Sequence, residues 1–320
     1  MSIQSSNHMG NSPKVSVIMN CLNCEKYLHE AIDSVYSQTY KDWEIIFWDN
    51  NSIDKSAEIA KGYDEKLRYF KGNETVPLGM ARNLAIKHAR GEYIAFLDCD
   101  DIWLPQKLQK QIPLFENNHK IGLVYSNTIF FNQQTGKEWS LYKKGNKLKG
   151  MVFRELLSHY IFSMETVIIS RECLNNQTEW FDERFNMIEE AELFLRIAYK
   201  NEVDYVDEPL SKWRIHSENW SLTRHNELLP LEVEQMIKKF CELFDDFGER
   251  FKDEIFTLKV RNEYCYGLLE WEKGKKSYFR NHIRPYLWKY KKYLIPYMLS
   301  YIFPYSFYYY LCVKTNRVTH

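Results

Sequence analysis

Val15-Ser16-Val17-Ile18-Met19, followed by Asn20-Cys21-Leu22-Asn23-Cys24 and then by apolar residues at Tyr27, Leu28, Ala31, Ile32 and Val35, sets the architecture of this chain. The first run is β-branched and has the length of a buried strand, and the later apolar positions recur at helical spacing up to Gln38. A strand and a crossover helix are therefore expected. Glu44-Ile45-Ile46-Phe47-Trp48 repeats the strand signal, and Ser52 or Asp54 can cap the helix that follows through Ala60. Next come a short strand over 67–70, a helix over 80–89 and, after Gly91, the strand Glu92-Tyr93-Ile94-Ala95-Phe96-Leu97. Parallel neighbours need long crossovers, so this alternation predicts an α/β fold with a Rossmann-like, mostly parallel twisted sheet flanked by helices.

Ligands of such sheets bind at the carboxyl ends of strands. Three of those ends are polar: Asn20-Cys21-Leu22-Asn23, Asp49-Asn50-Asn51-Ser52 and Asp98-Cys99-Asp100-Asp101. Past Pro105 the pattern predicts a helix to about 115, a strand over 121–128 and an exposed loop or hairpin over the Lys- and Gly-rich stretch 133–150. A strand over 166–170, a helix over 190–199 and two short strands over 203–206 and 212–215 follow.

The pattern changes near 224–226. Beyond it lie charge-dense helices over 232–244 and 251–272, then an aromatic tail. Residues 293–313 carry no charge, hold Pro296 and Pro304, and include seven tyrosines, of which Tyr293, Tyr297, Tyr301 and Tyr305 would share one helical face. Lys289, Lys291 and Lys292 precede this segment; Lys314 and Arg317 follow it. Its 21 residues could just span a bilayer, but prolines and amphipathic rings favour lying at a membrane interface, with packing against the soluble domain as the alternative. The expected organisation is a flexible lead-in (1–13), a main domain (14–225, divided at 130/131), a helical extension (226–292) and a tail (293–320) that is a candidate for peripheral membrane contact.

Lys and Arg total 43 and Asp and Glu total 43, so no global field attracts nucleic acid. The first residues lack the apolar core of a secretory signal. Seven scattered cysteines, an odd number, do not read as a disulfide scaffold, and a cytoplasmic location is expected, at most peripheral on the inner membrane. Cys21 and Cys24 form one C-x-x-C, but no second Cys/His pair is spaced to complete a zinc site, so they read as plain thiols in a strand-to-helix turn.

Three acids within Asp98-Cys99-Asp100-Asp101 repel one another and call for a cation. Hard carboxylate oxygens favour Mg²⁺ or Mn²⁺, which complete their shell with substrate phosphates and water. Asp101 could instead cap the turn toward Trp103 and Pro105, but capping accounts for only one acid.

The ordered set Val15-Ser16-Val17-Ile18-Met19-Asn20-Cys21-Leu22-Asn23, Tyr27-Leu28, Ser34-Val35, Ser37-Gln38-Thr39-Tyr40, Trp43-Glu44-Ile45-Ile46, Ala81-Arg82-Asn83 and Gly91-Glu92-Tyr93-Ile94-Ala95-Phe96-Leu97-Asp98-Cys99-Asp100-Asp101 resembles the family 2 glycosyltransferases of bacterial surface-glycan assembly. The similarity covers about residues 14–221. It implies the GT-A fold and an inverting, metal-dependent, hexosyltransferase-type transfer from a nucleotide-sugar. By that resemblance Asn20, Leu22, Asn23, Asp49 and Asn50 frame base and ribose, and Arg82 approaches the base or diphosphate. Asp98, with Cys99 beside it, touches ribose or metal, and Asp100 binds the metal. Two departures stand out: Asn20-Cys21-Leu22-Asn23 replaces Pro-Thr-Tyr-Asn, and Asn50 replaces an acid, so UDP is the expected nucleotide while another base could be accommodated.

Ile188-Glu189-Glu190-Ala191-Glu192 resembles the family's second signature, an acidic pair opening a helix whose latter member is the general base. Glu190 takes that place, with Glu189 and Glu192 as substitutes. The base removes the acceptor hydroxyl proton while that oxygen attacks the sugar carbon from the face opposite the leaving group. Trp213-Arg214-Ile215-His216 resembles the family's C-terminal histidine segment, which makes His216 a candidate third metal ligand. Glu179-Trp180-Phe181-Asp182-Glu183 stands where an acceptor-side Gly-Gly-Phe-Asp-Glu is common. The implied acceptor is a glycan or lipid-linked saccharide of lipopolysaccharide, O-antigen or capsule.

A nucleotidyltransferase or a dehydrogenase would need glycines after the first strand for backbone to approach phosphates, and residues 20–24 contain none. A processive synthase would need spanning helices and a Q-x-x-R-W sequence. The remaining alternative is a catalytically degenerate nucleotide- or sugar-binding protein of the same fold.

Overall fold

The computed structural model describes residues 12–142, 148–219 and 227–314. Its first half is a run of strand–helix units: β1 (Val15–Cys21), α1 (Leu28–Tyr36), β2 (Trp43–Asp49), α2 (Ser56–Lys61), β3 (Leu67–Lys71), α3 (Leu78–Ile86) and β4 (Tyr93–Phe96). The strands pair in parallel in the order β3-β2-β1-β4, with Val15 opposite both Trp43 and Tyr93. β2 is buried along its whole length, which is why its centre, Ile45 to Trp48, is a continuous apolar run rather than an alternating one. The polar exceptions are paired: Ser16 donates to Glu44 at 2.8 Å and accepts the amides of Arg90 and Gly91. A Cβ on Gly91 would lie 2.5 Å from the Ser16 nitrogen, so only glycine lets the chain enter β4 this close to β1.

The second half makes the sheet mixed. It contributes β5 (Ile102–Trp103), α4 (Lys107–Asn117), β6 (Ile121–Asn132), β7 (Glu138–Ser140), α5 (Phe153–Ser158), β8 (Ile168–Ser170), α6 (Arg171–Asn175), α7 (Glu189–Lys200) and β9 (Glu202–Ile215). The full order is β3-β2-β1-β4-β8-β6-β9-β5, with β7 hairpinned onto β6; β8 is antiparallel to both β4 and β6, and β9 runs parallel to β6.

Two sequence readings change here. The strands expected at 203–206 and 212–215 are one strand, β9, because register shifts on β6 around Asn127 absorb Pro209, whose missing N–H suggested a break. Residues 164–166 form a 3₁₀ turn instead of opening a strand, since Thr166 bonds back to Ser163 through both its amide and its hydroxyl. Of the stretch 133–150, residues 143–147 lie outside the described residues.

The chain divides into two compact units, the second made of Arg154–Tyr160 and the chain from Ser217 onward. The boundary expected at 224–226 lies outside the described residues. The second unit holds α8 (Leu228–Leu243), α9 (Phe247–Arg250), α10 (Lys252–Glu272), α11 (Lys276–Ile283), α12 (Leu294–Ile302) and α13 (Tyr305–Lys314). Its core joins Val260, Trp271, Phe279, Ile283 and Tyr293. Tyr293 stacks on Tyr264 at 4.2 Å and Trp271 on Tyr308 at 5.4 Å, so the aromatic segment packs as part of this unit.

The tyrosines expected on a single helical face are separated. Tyr293 lies in a 3₁₀ turn, Tyr297 and Tyr301 lie on α12, and Tyr305 opens α13 beyond Pro304, which cannot continue α12. No helix among the described residues is long and apolar enough to cross a membrane.

Candidate active site

The chain leaves the sheet at the carboxyl end of β4 through a turn closed by Asp101 N–H donating to the Asp98 carbonyl, 3.1 Å. The turn sends its four side chains in different directions. Asp98 faces Arg82 at 3.4 Å, and Asp100 faces His216, Oδ2 to Nε2 at 2.9 Å. Cys99 packs inward beside Cys21 and Cys24. Asp101 is buried and accepts the Arg214 amide at 2.9 Å, so it anchors β9 instead of capping the next helix. Burial raises the Asp98 carboxyl, opposed by Arg82 and reinforced by Asp100; burial pushes Asp101 well above the carboxylate range.

Arg82, on α3 and 3% exposed, ties this turn to the start of α7 by also donating to Glu189 at 2.5 Å. The three glutamates of that first turn thereby separate. Glu189 is paired with Arg82. Glu192, fully buried, accepts twice from Arg196 (2.6 and 2.8 Å), whose guanidinium also holds the carbonyls of Glu179 and Trp180. Glu192 is thus a strut for the 179–183 loop, which corrects its place as a substitute base. Glu190 is left without an ion-pair partner among the described residues. Burial pushes its carboxyl up to about 8, with Arg82 opposing and Glu189, Asp98 and Glu165 adding to the rise.

Breaking the Glu192–Arg196 pair strands a buried guanidinium. Glu192→Ala is expected to cost about 3–5 kcal/mol, which a thermal melt reads as a drop of roughly 10 °C.

β9 delivers the other wall. The Arg214 guanidinium donates to the Asp100 carbonyl at 2.8 Å, to Gln133 and to Glu30 on α1. The Tyr27 ring lies 4.6 Å from that guanidinium and 4.9 Å from the His216 ring, holding both in place.

The other strand ends build the crevice more than they line it. Asp49 is buried, accepting from the Ser52 amide at 2.7 Å and the Tyr69 hydroxyl at 2.6 Å. Asn50 pairs both ends of its amide with the Val76 backbone, at 2.8 and 3.1 Å. The Asn50 amide thereby fixes the 72–77 loop, while the Asp49 carboxylate ties its own turn to β3. Asn23 takes a left-handed φ of 56° and accepts the Ile53 amide. Leu22 is exposed, and the Asn20 side-chain nitrogen is buried with no partner.

Sequence reasoning missed Glu165. It is buried, one carboxylate oxygen accepts from Ser163 at 2.7 Å and the other has no partner. A lone glutamate just ahead of the segment read as a strand over 166–170 carries no signal of this. Nearby Lys107 is wholly buried, donating to Gln111 at 2.6 Å and the Thr166 carbonyl at 2.8 Å, and burial lowers its ammonium to about 7.

Taken together, the Asp100 carboxylate and the His216 imidazole meet at a distance that one divalent cation could bridge, with Asp98 adjacent. Such a donor set fits Mg²⁺ or Mn²⁺ sharing its shell with phosphates. The Glu190 carboxyl at the start of α7, raised by burial and by the nearby charges of Glu189 and Asp98, can take a proton once ionised.

The sequence profile described as Glycosyl transferase family 2 matches residues 16–174. The chain is 30% identical over 247 residues to the UDP-Glc:alpha-D-GlcNAc-diphosphoundecaprenol beta-1,3-glucosyltransferase WfgD of Escherichia coli, covering 76% of this chain and 90% of that one. Among solved structures, S. aureus TarS 1–349 in complex with UDP-GlcNAc matches with a TM-score of 0.62 at 20% identity, covering 84% of this chain and 81% of that one. The mannosyltransferase PcManGT from Pyrobaculum calidifontis, in complex with GDP-Man and Mn²⁺, matches with a TM-score of 0.60 at 16% identity, covering 91% and 85%. These two likenesses establish the GT-A fold; with the profile and the relative, they show that the chain belongs to the family 2 glycosyltransferases.

Proposed function

We propose that this chain is an inverting, non-processive glycosyltransferase that moves one sugar from a nucleoside-diphosphate sugar, a UDP-sugar first, to a hydroxyl of a lipid-linked or surface-glycan acceptor. The observation that carries the reading is the sorting of the glutamates: Arg82 and Arg196 bind Glu189 and Glu192, which leaves Glu190 to act as base. The E. coli relative, named for UDP-Glc and a diphosphoundecaprenol-linked acceptor, supports the donor and acceptor classes.

Asp100 and His216, with Asp98, would hold Mn²⁺ or Mg²⁺. The ion would supply positive charge to the leaving diphosphate. Arg82 orients Asp98 and pairs with Glu189 beside it. Glu190 takes the acceptor proton. Product formation from UDP-Glc, UDP-GlcNAc and GDP-Man with Mn²⁺ and a GlcNAc-diphospholipid acceptor tests the proposal, with the anomeric configuration of the product read by NMR. A retained configuration, or binding without turnover across the panel, would overturn it, the latter in favour of a degenerate binding protein.

We further propose that the second unit docks peripherally on the membrane carrying the acceptor. Leu294, Ile295, Met298, Tyr301 and Ile302 are exposed on α12, and Trp288 is exposed in the segment before it that carries Lys289, Lys291 and Lys292. Apolar surface flanked by lysines suits an anionic bilayer surface. Co-sedimentation with anionic vesicles is expected, weakened by salt and lost in Ile295→Asp/Met298→Asp; equal recovery of that variant with the vesicles would refute the docking face.

A further inference from the structure

The fold assembles three cysteines behind the acidic turn. Cys21 ends β1, Cys24 lies three residues on, and Cys99 sits between Asp98 and Asp100. Their sulfurs all lie within 4.8 Å of one another, and all three thiols are free of disulfides. Two features of the backbone bring them together. In the parallel pairing of β1 with β4, Ile18 stands opposite Phe96, and the same offset carried three residues further sets Cys21 beside Cys99. Asn23, with φ of 56°, then reverses the chain so that Cys24 turns back toward Cys21.

The turn is also braced from outside. The Ser52 hydroxyl accepts the Asn23 amide and the Ser56 hydroxyl accepts the Cys24 amide, both at 3.0 Å. Cys21 and Cys99 are buried, while Cys24 is partly exposed and gives solvent a way in.

We propose that Cys21, Cys24 and Cys99 form a site for one thiophilic divalent cation of the zinc class, with solvent as the fourth ligand. Zn–S bonds of about 2.3 Å set the sulfurs of a tetrahedral site roughly 3.8 Å apart, so they need close by only about 1 Å. Thiolates select soft and borderline ions, whereas carboxylates select Mg²⁺ and Mn²⁺, so the two faces of the Asp98–Asp101 turn sort cations by chemistry. On binding, the thiols release their protons to solvent. An occupied site would clamp the β1–α1 turn to the acidic turn.

The test uses the full chain, reduced and stripped of metal, with Cd²⁺, Co²⁺ and Zn²⁺ as probes. One Cd²⁺ per chain is expected, with the ultraviolet absorption of thiolate-to-metal charge transfer, displaced by Zn²⁺ and untouched by excess Mg²⁺. Cys21→Ser and Cys24→Ser should each weaken it by at least the roughly 100-fold that loss of an outer partner of a metal site costs. Cys173→Ser and Cys241→Ser should leave it unchanged. A second measurement on the unmutated chain does not depend on variants folding: Zn²⁺ should slow alkylation of Cys24 while the exposed Cys241 still reacts. Absence of the sulfur absorption, or alkylation of Cys24 at an unaltered rate, would overturn the site.

Discussion

Glu190→Gln is expected to lower kcat by about 10²–10⁴-fold while donor affinity, read by titration calorimetry, stays within a few-fold. Gln keeps the shape and much of the hydrogen bonding but cannot accept the acceptor proton. The pH profile makes the assignment sharper. Glu190 must be ionised to act, and burial among acids holds its carboxyl near 8, so kcat/KM of the unmutated enzyme should climb through about pH 8 and level off above. A cation held at Asp100 and Asp98 would remove part of the repulsion and move this limb to lower pH.

Stability should respond with the opposite sense. The folded-state pKa is raised above the ordinary 4.5, so the native chain binds the extra proton and its stability falls as pH rises between the two values. Glu190→Gln should therefore melt higher than the parent above about pH 8 and equally with it below about pH 4.5. A variant that keeps kcat, or that gains no stability at high pH, would show that the base lies elsewhere.

Asp100→Ala is expected to reduce transfer by roughly 10³-fold or more and to abolish the Mn²⁺-dependent rise in melting temperature that a nucleoside diphosphate produces. The reason lies in its position. Its carboxylate meets His216 at 2.9 Å, so the alanine variant removes the carboxylate half of that pair. Arg214 still holds the Asp100 carbonyl and the Asp101 carboxylate, so the turn itself should survive and the circular dichroism should not change. Mn²⁺-dependent turnover persisting within tenfold of the parent would contradict the assigned ligand.

The first half of the fold was legible because each strand from β1 to β4 is a local apolar run and each crossover helix carries its own period. Legibility failed where a pairing partner decides the outcome. Pro209 reads as a break until β6 supplies the register shift that absorbs it. The tyrosines at four-residue intervals read as one face until Pro304 ends the helix and Trp271 and Tyr264 claim part of the set. In the site, the acidic turn and the glutamates of α7 were visible as clusters, but their division of labour was not. Glu190 differs from Glu192 only because Arg196 lies one helical turn beyond Glu192, close enough to seal it.

By itself, then, the sequence determined the strand–helix order, the three polar strand ends and the acidic turn, since all depend on neighbours along the chain. Only the tertiary structure decided which acids are paired, that Asn50 braces the 72–77 loop, and that Cys99 joins Cys21 and Cys24. Those outcomes depend on residues far apart in the chain, 107 positions for Arg82 and Glu189 and 184 for Glu30 and Arg214, and no spacing in a linear pattern encodes a contact that sheet registry creates.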